Sequence, residues 1–259
     1  MIRLYPKVER RNQNLLARVE AIKTEHPFWG YRRITNFLRF VEGQKVNKKR
    51  VERIMQRHDL QVKPNLKLRA RRTPMRSKPR GTRPNEWWGI DMTKVMIPSF
   101  GWVYAVIVLD WYTKKIVGYQ AGVQSKSEHW LEALNMAINR QFPKGSRGQG
   151  LHLMSDNGCQ PTSQKFMESC ALMGVQQAFT SYNNPKGNGD TERVMRTFKE
   201  EKVWLTEWKS PLEFFEGMAR WVDEEYNPKY PHSTNGGLPP NVKELNYFNS
   251  RVASSSPAA

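Results

Sequence analysis

Apolar positions along the chain change period partway through, and the change marks its parts. Leu15, Leu16, Val19 and Ile22 recur at spacings of three and four, the repeat that lines one face of a helix. Tyr31, Ile34, Phe37 and Leu38 make a second stripe, entered through Gly30. Val51, Ile54 and Met55 make a third, which Asn47 is placed to cap. From Glu86 the pattern is that of strands. Trp88 to Ile97, Trp102 to Tyr112 and Lys115 to Val123 are apolar, β-branched or aromatic runs. The turns Pro98-Ser99-Phe100-Gly101 and Thr113-Lys114 separate them, which predicts a three-strand antiparallel meander.

Beyond the meander the elements alternate. Ser127 to Arg140 reads as a helix, Gly150 to Ser155 as a strand, Ser163 to Met173 as a helix and Val175 to Thr180 as a strand. A polar loop from Ser181 to Asp190 leads into a helix from Thr191 to about Trp204. The order βββαβαβα with a mixed sheet is the ribonuclease-H-like arrangement, so the fold class is α/β. The expected division is a helix-turn-helix-like region over residues 1–61, a linker over 62–85 and the α/β core over 86–205. A helical extension over 206–245 and an unfolded Ser/Ala tail over 246–259 follow.

Charge adds a partner. Lys and Arg number 42 against 24 Asp and Glu, a formal charge of +18, which calls for an extended polyanion. No apolar run approaches the length of a membrane span, so an acidic lipid surface is the poorer match and nucleic acid the better one. The third helix carries Lys49, Arg50 and Arg53 outward, as a DNA-reading helix does. A solvated charged face is the plainer reading of such a run. The linker holds nine Lys or Arg, four Pro and no acid between residues 63 and 84. Arg69, Arg71, Arg72 and Arg76 within it suit a strap along DNA phosphates, although a spacer would have similar composition. The two cysteines, Cys159 and Cys170, form no CxxC pair, so a reducing cytoplasm is expected, with both thiols buried.

The candidate chemistry is acidic. Asp91 interrupts the strand Trp-Trp-Gly-Ile-Asp, where Asp is disfavoured. Asp156 stands where an apolar strand runs into Asn157-Gly158, which by itself is an ordinary turn. Glu192 opens a helix, where an acid also suits the dipole. Together they are a strand interior, a strand end and a helix start that could meet at one sheet edge. Three carboxylates without Cys or His partners fit Mg²⁺ or Mn²⁺, and two such ions can serve an in-line phosphoryl transfer. Arg196 and Lys199 follow Glu192 at helical spacing and share its face, with Arg193 and Lys186 close by.

The segments WWGIDMTKV, VIVLDWYTKKIVGY, MSDNGCQ and PKGNGDTERVMRTFKEE resemble the catalytic core of retroviral integrases and bacterial insertion-sequence transposases. With HPFWGYRRITNFLR, NKKRVERIMQRHDL and YNPKYPHS, the chain is similar to the downstream-frame protein of the insertion sequence three group over residues 15 to 245. That resemblance implies Asp91, Asp156 and Glu192 as metal-binding catalytic acids, two Mg²⁺ or Mn²⁺ ions, and Arg196 and Lys199 as DNA contacts. It further implies double-stranded DNA as substrate, homo-oligomers on DNA, and the product of an upstream overlapping reading frame as a partner. Asp110 matches a recurrent position that is not catalytic. Two positions depart from the family: Gly189-Asp190-Thr191 stands where Asp-Asn-Ala is frequent, and Tyr230 replaces an Arg. A DNA-binding regulator without catalysis, or a nuclease acting on RNA or a junction, are the competing functions.

Overall fold

The computed structural model describes residues 6–62, 79–180 and 185–255, and its contacts divide them into two compact units. One unit is built from the N-terminal helices and Lys229–Pro239. The other runs from the strand region through Pro228 and resumes at Pro240.

In the first unit, α1 (Pro6–Glu25), α2 (Tyr31–Phe40) and α3 (Lys48–Arg57) bury the expected stripes. Val19, Ile22, Ile34, Leu38, Val51 and Met55 are fully enclosed. Asn47 caps α3 by accepting the Lys49 amide at 2.9 Å. The chain returns to this unit at Lys229–Pro239. Tyr230 is only 4% exposed, its ring edge-on to Trp29 at 5.7 Å and beneath the Arg33 guanidinium at 4.5 Å. Gly237, at a φ of +93°, lies so near Asn36 that a Cβ would stand 2.4 Å from Nδ2. The position where Tyr replaces Arg is therefore a packing position in this fold.

The second unit is a five-stranded mixed sheet in the order β3-β2-β1-β4-β5, as the element order predicts. The strands β1 (Trp87–Ile97), β2 (Gly101–Asp110) and β3 (Ile116–Gly122) form the meander. Two short strands, β4 (His152–Ser155) and β5 (Gln176–Phe179), add in parallel. One face is the apolar core. Trp88, Ile90, Val106, Val108 and Val117 pack there against Trp130, Leu134 and Ala137 of α4 (Ser127–Gln141) and Phe166 and Cys170 of α5 (Gln164–Leu172). Gly118 lets α4 approach, since a Cβ there would stand 2.2 Å from the Ala133 carbonyl oxygen.

The other face is crossed by α6 (Gly189–Phe198), which continues as a π-turn over Lys199–Val203. α7 (Pro211–Arg220), a second π-turn (Trp221–Tyr226) and α8 (Asn227–Lys229) complete that layer. Asn227 pairs with both the amide and the carbonyl of Ile116, each at 2.9 Å, satisfying backbone that an edge strand would leave unpaired.

Two expectations change. Residues 246–255 are helical, the second half of α9 (Pro240–Ser255). Contacts hold that helix where composition alone argues against order: Glu244 pairs with Lys115 at 2.5 Å, and Tyr247 meets Tyr112 edge-on at 5.4 Å. Cys170 is buried, its thiol pushed up to about 12 by burial, but Cys159 is exposed. The Asn157-Gly158 turn carries it away from the strand end. No helix among the described residues is long and apolar enough to cross a membrane.

Candidate active site

Register explains how two of the acids meet. β1 and β4 pair Trp87 with His152, Trp88 with Leu153 and Gly89 with Met154. β4 ends at Ser155, so Asp156 follows directly on the strand that flanks β1, and its charge acts on Asp91. Asp91 itself shares a sheet face with Gly89. Asp156 is exposed, and its Oδ1 accepts the Gly158 amide at 3.1 Å.

Glu192 arrives on the first turn of α6, and that turn lies flush on β1 because position 89 has no side chain. A Cβ on Gly89 would stand 2.0 Å from Thr191 Oγ1, 2.5 Å from Trp111 Nε1 and 2.6 Å from Asn188 Oδ1. Trp111 Nε1 donates to Thr191 Oγ1 at 3.2 Å, and Asn188 Nδ2 donates to the Ile90 carbonyl at 3.0 Å. Lys114 Nζ pairs with Asp190 at 3.1 Å and donates to the Trp111 carbonyl at 2.6 Å. Lys114 thus ties the residue before Thr191 to the backbone of Trp111. The sequence reading missed this clamp. Its one local sign was a glycine inside an otherwise bulky strand, which marks a close approach of another segment.

Electrostatics couple the three acids. Burial lifts the Asp91 carboxyl from the usual 3.8 to about 6, and Asp156 and Glu192 push it in the same direction. The Met92 amide, donating to Asp91 Oδ1 at 2.8 Å, and the Lys199 ammonium pull the other way. Glu192 is exposed like Asp156, whereas Asp91 is half buried. Among the described residues no three His, Cys, Asp or Glu side chains close into a metal-holding group.

Asp110 has a different task. It is buried, Oδ1 accepting from the Thr113 amide at 2.6 Å and hydroxyl at 2.7 Å, and Oδ2 from the Asn85 amide at 2.7 Å. It pins the turn between β2 and β3. Burial raises its carboxyl while those donors lower it.

The basic candidates are spread over both units. Arg193 and Arg196 are exposed on α6, and Arg196 Nε bonds Glu200 at 2.7 Å. Lys199 is half buried, within the field of Asp91. In the first unit Lys49 and Arg53 face solvent, Arg53 Nε donating to the Lys49 carbonyl at 3.2 Å. Arg50 turns inward, Nε to Asn12 Oδ1 at 2.8 Å, because α1 packs against that side of α3. Arg69, Arg71, Arg72 and Arg76 and the side chain of Lys186 lie outside the described residues.

Residues 81–185, which hold Asp91 and Asp156, match an integrase core domain family, and residues 173–240, which hold Glu192, match a second integrase core family. Residues 9–67 match the HTH-like domain family. The chain is an integrase-core protein with an N-terminal helix-turn-helix-like domain.

Its relatives include insertion-sequence transposases. It is 26% identical over 230 residues to the transposase for insertion sequence element IS904 of Lactococcus lactis, covering 85% of this chain and 88% of that one. It is 28% identical over 170 residues to the putative transposase for insertion sequence element IS986/IS6110 of Mycobacterium tuberculosis, covering 65% of this chain and 60% of that one. Against the IS600 uncharacterized 31 kDa protein of Shigella sonnei the figures are 28% over 183 residues, 71% and 62%. The chain thus spans less than two thirds of the last two relatives. Among solved structures, the catalytic core of BIV integrase is 16% identical with a TM-score of 0.46, covering 66% of this chain and 99% of that one.

Proposed function

We propose that this protein is a DNA transposase that cleaves at the ends of an insertion element and joins the freed 3′-hydroxyl to target DNA. The observation that carries the reading is Asp91, a carboxyl inside a strand whose titration is raised by burial and by Asp156 and Glu192. Such mutual repulsion is relieved by a divalent cation, and the donor set is all oxygen, which suits Mg²⁺ or Mn²⁺. Asp91, Asp156 and Glu192 would hold two such ions, the two exposed carboxylates closing on the half-buried one. Bound there, the ions would stabilise charge on the entering and departing oxygens of an in-line displacement.

The protein's own groups do the rest. Gly89, Trp111, Asn188 and Thr191 hold the first turn of α6 against β1, which in this reading keeps Glu192 near the two aspartates. Lys199, with Arg196 and Arg193, would position the phosphates of the element end, and Lys49 and Arg53 the phosphates under the helix-turn-helix-like domain. In the first step water attacks a phosphodiester, its oxygen bonds to phosphorus and the 3′-oxygen departs with a proton. In the second that 3′-hydroxyl attacks target DNA and another 3′-oxygen departs. Bonds made equal bonds broken, so no ATP is required. The partners of this reading are double-stranded DNA, further copies of the chain, and an upstream-frame product, in a bacterial cytoplasm near the nucleoid.

A phosphorothioate of defined chirality at the scissile bond tests the chemistry. Inversion at phosphorus in each step is expected. Net retention across joining would require a covalent protein–DNA link and end the proposal. DNA binding with no metal-dependent cleavage would make the protein a regulator instead.

A further inference from the structure

Beyond Gly89 β4 no longer pairs with β1, and a second feature occupies that end of the sheet. The last residues of β1, the turn after it and the start of β2 face the π-turn that prolongs α6 and the loop leading to α7. Between them lies an open groove of about 860 Å³. Ser99 Oγ ties the two walls by donating to the Lys209 carbonyl at 3.1 Å, and within the second wall Trp208 Nε1 donates to the Val203 carbonyl at 3.3 Å.

The lining joins two chemistries. Trp204 is 61% exposed and Trp102 43%, and both line the groove. Lys94, Lys199 and Lys209 line it too, against a single acid, Glu207. Lys94 Nζ stands 4.4 Å from the centre of the Trp102 ring. Exposed indoles interleaved with cations are the surface that unpaired nucleotides require, since every base has a face to stack and every phosphate a charge to neutralise. A lysine on the strand edge opposes the addition of another strand, and lysine is depleted from the centres of protein interfaces.

We propose that this groove binds a short single-stranded segment of DNA, its bases on Trp204 and Trp102 and its phosphates on Lys94, Lys199 and Lys209. The inference rests on the strand-transfer reading through Lys199, which lines the groove and lies in the field of Asp91. Unpaired nucleotides held there are those splayed from the DNA end being processed. The groove therefore favours frayed or tailed ends over intact duplex.

The test compares a blunt hairpin duplex with the same duplex bearing a four-nucleotide unpaired tail that contains 2-aminopurine. Both are titrated with the full chain in chelator. The unaltered protein should bind the tailed DNA more tightly and quench the 2-aminopurine. Trp204→Ala should lower affinity for the tail by about ten-fold, the scale of one lost base–aromatic stack, with blunt duplex unaffected. Trp204→Phe should restore most of it, and Trp102→Leu should act like Trp204→Ala. An unchanged tailed-to-blunt ratio in Trp204→Ala and Trp102→Leu overturns the proposal. So does a changed sedimentation coefficient with that ratio intact, which would make the groove a contact between copies of the chain. Tail preference without any cleavage would retain the groove and remove the proposed function. Cleavage with no tail preference would do the reverse.

Discussion

The two faces of one strand show opposite solutions to burial. Trp88 and Ile90 of β1 enter an apolar layer with α4 and α5. Gly89 and Asp91, their immediate neighbours, enter a layer where a tryptophan N–H, a threonine hydroxyl and an asparagine close on the glycine. The first face excludes water and gains by contact area. The second carries a half-buried acid that two other acids repel, so it holds an unfavourable arrangement in place. The strand can do both because its side chains alternate and because the first face is well packed. The site is therefore carried by a layer it does not resemble.

The largest expected difference between the faces is chemical. Asp91→Asn, Asp156→Asn and Glu192→Gln should each reduce strand transfer by more than about 100-fold, since even the outer partners of metal ligands are worth about 10–100-fold. Circular dichroism and DNA affinity should stay close to those of the unaltered protein. Near-normal joining by any one variant would remove that residue from the site.

Next comes the cost of burying Asp91, to which the repulsion of Asp156 and Glu192 is added. The folded Asp91 pKa of about 6 lies above its ordinary 3.8, so the folded state holds the extra proton between those values. Stability from this group is intact below pH 4 and declines as pH rises through 6. In chelator at pH 8, Asp91→Asn should be more stable than the parent by about 1–3 kcal/mol, and the gain should vanish at pH 4. Denaturant melts at the two pH values measure it, and a pH-independent difference would contradict the assigned cause.

Two glycines then separate the faces mechanically. Gly118→Ala drives a methyl into the Ala133 carbonyl and should cost about 1–3 kcal/mol or more in global stability, as overpacking does. Gly89→Ala presses instead on Thr191 and Trp111. It should lower strand transfer out of proportion to its shift in Tm, because α6 is displaced where Glu192 begins. Equal loss of activity per degree of Tm in both variants would mean that the two layers are not distinct in function. The smallest effect belongs to the exposed Arg196–Glu200 pair. Glu200→Ala should cost only about 0.3–0.5 kcal/mol, readable as a shift in the denaturant midpoint.

Much of this was legible from residue order. The meander follows from its turns, the three helical stripes from their spacing, and the candidacy of Asp91 from its being an acid among aromatic and β-branched neighbours. The site's framework was not. Trp111 and Thr191 are 80 positions apart, and nothing local to either says that an indole N–H will meet that hydroxyl. The π-turns after α6 and α7 keep an ordinary helical composition while shifting the backbone ladder, which periodicity does not register. The end of α9 was read from its Ser and Ala content, whereas Lys115 and Tyr112, more than a hundred positions earlier, anchor that helix. Cys159 was expected inside because free cysteines usually are, and the turn preceding it outweighed that tendency.

The return of Lys229–Pro239 to the N-terminal helices constrains the exchange of segments between relatives. Tyr230 fills a place between Trp29 and Arg33 that the first 62 residues leave for it, and Gly237 fits a gap beside Asn36. A hybrid that takes its leading segment from one relative and everything after it from another joins halves of a lock cut for different keys. Viable shuffled descendants should inherit residues 1–62 and 229–239 from one parent, a linkage across more than 160 intervening positions that a crossover at the linker would break.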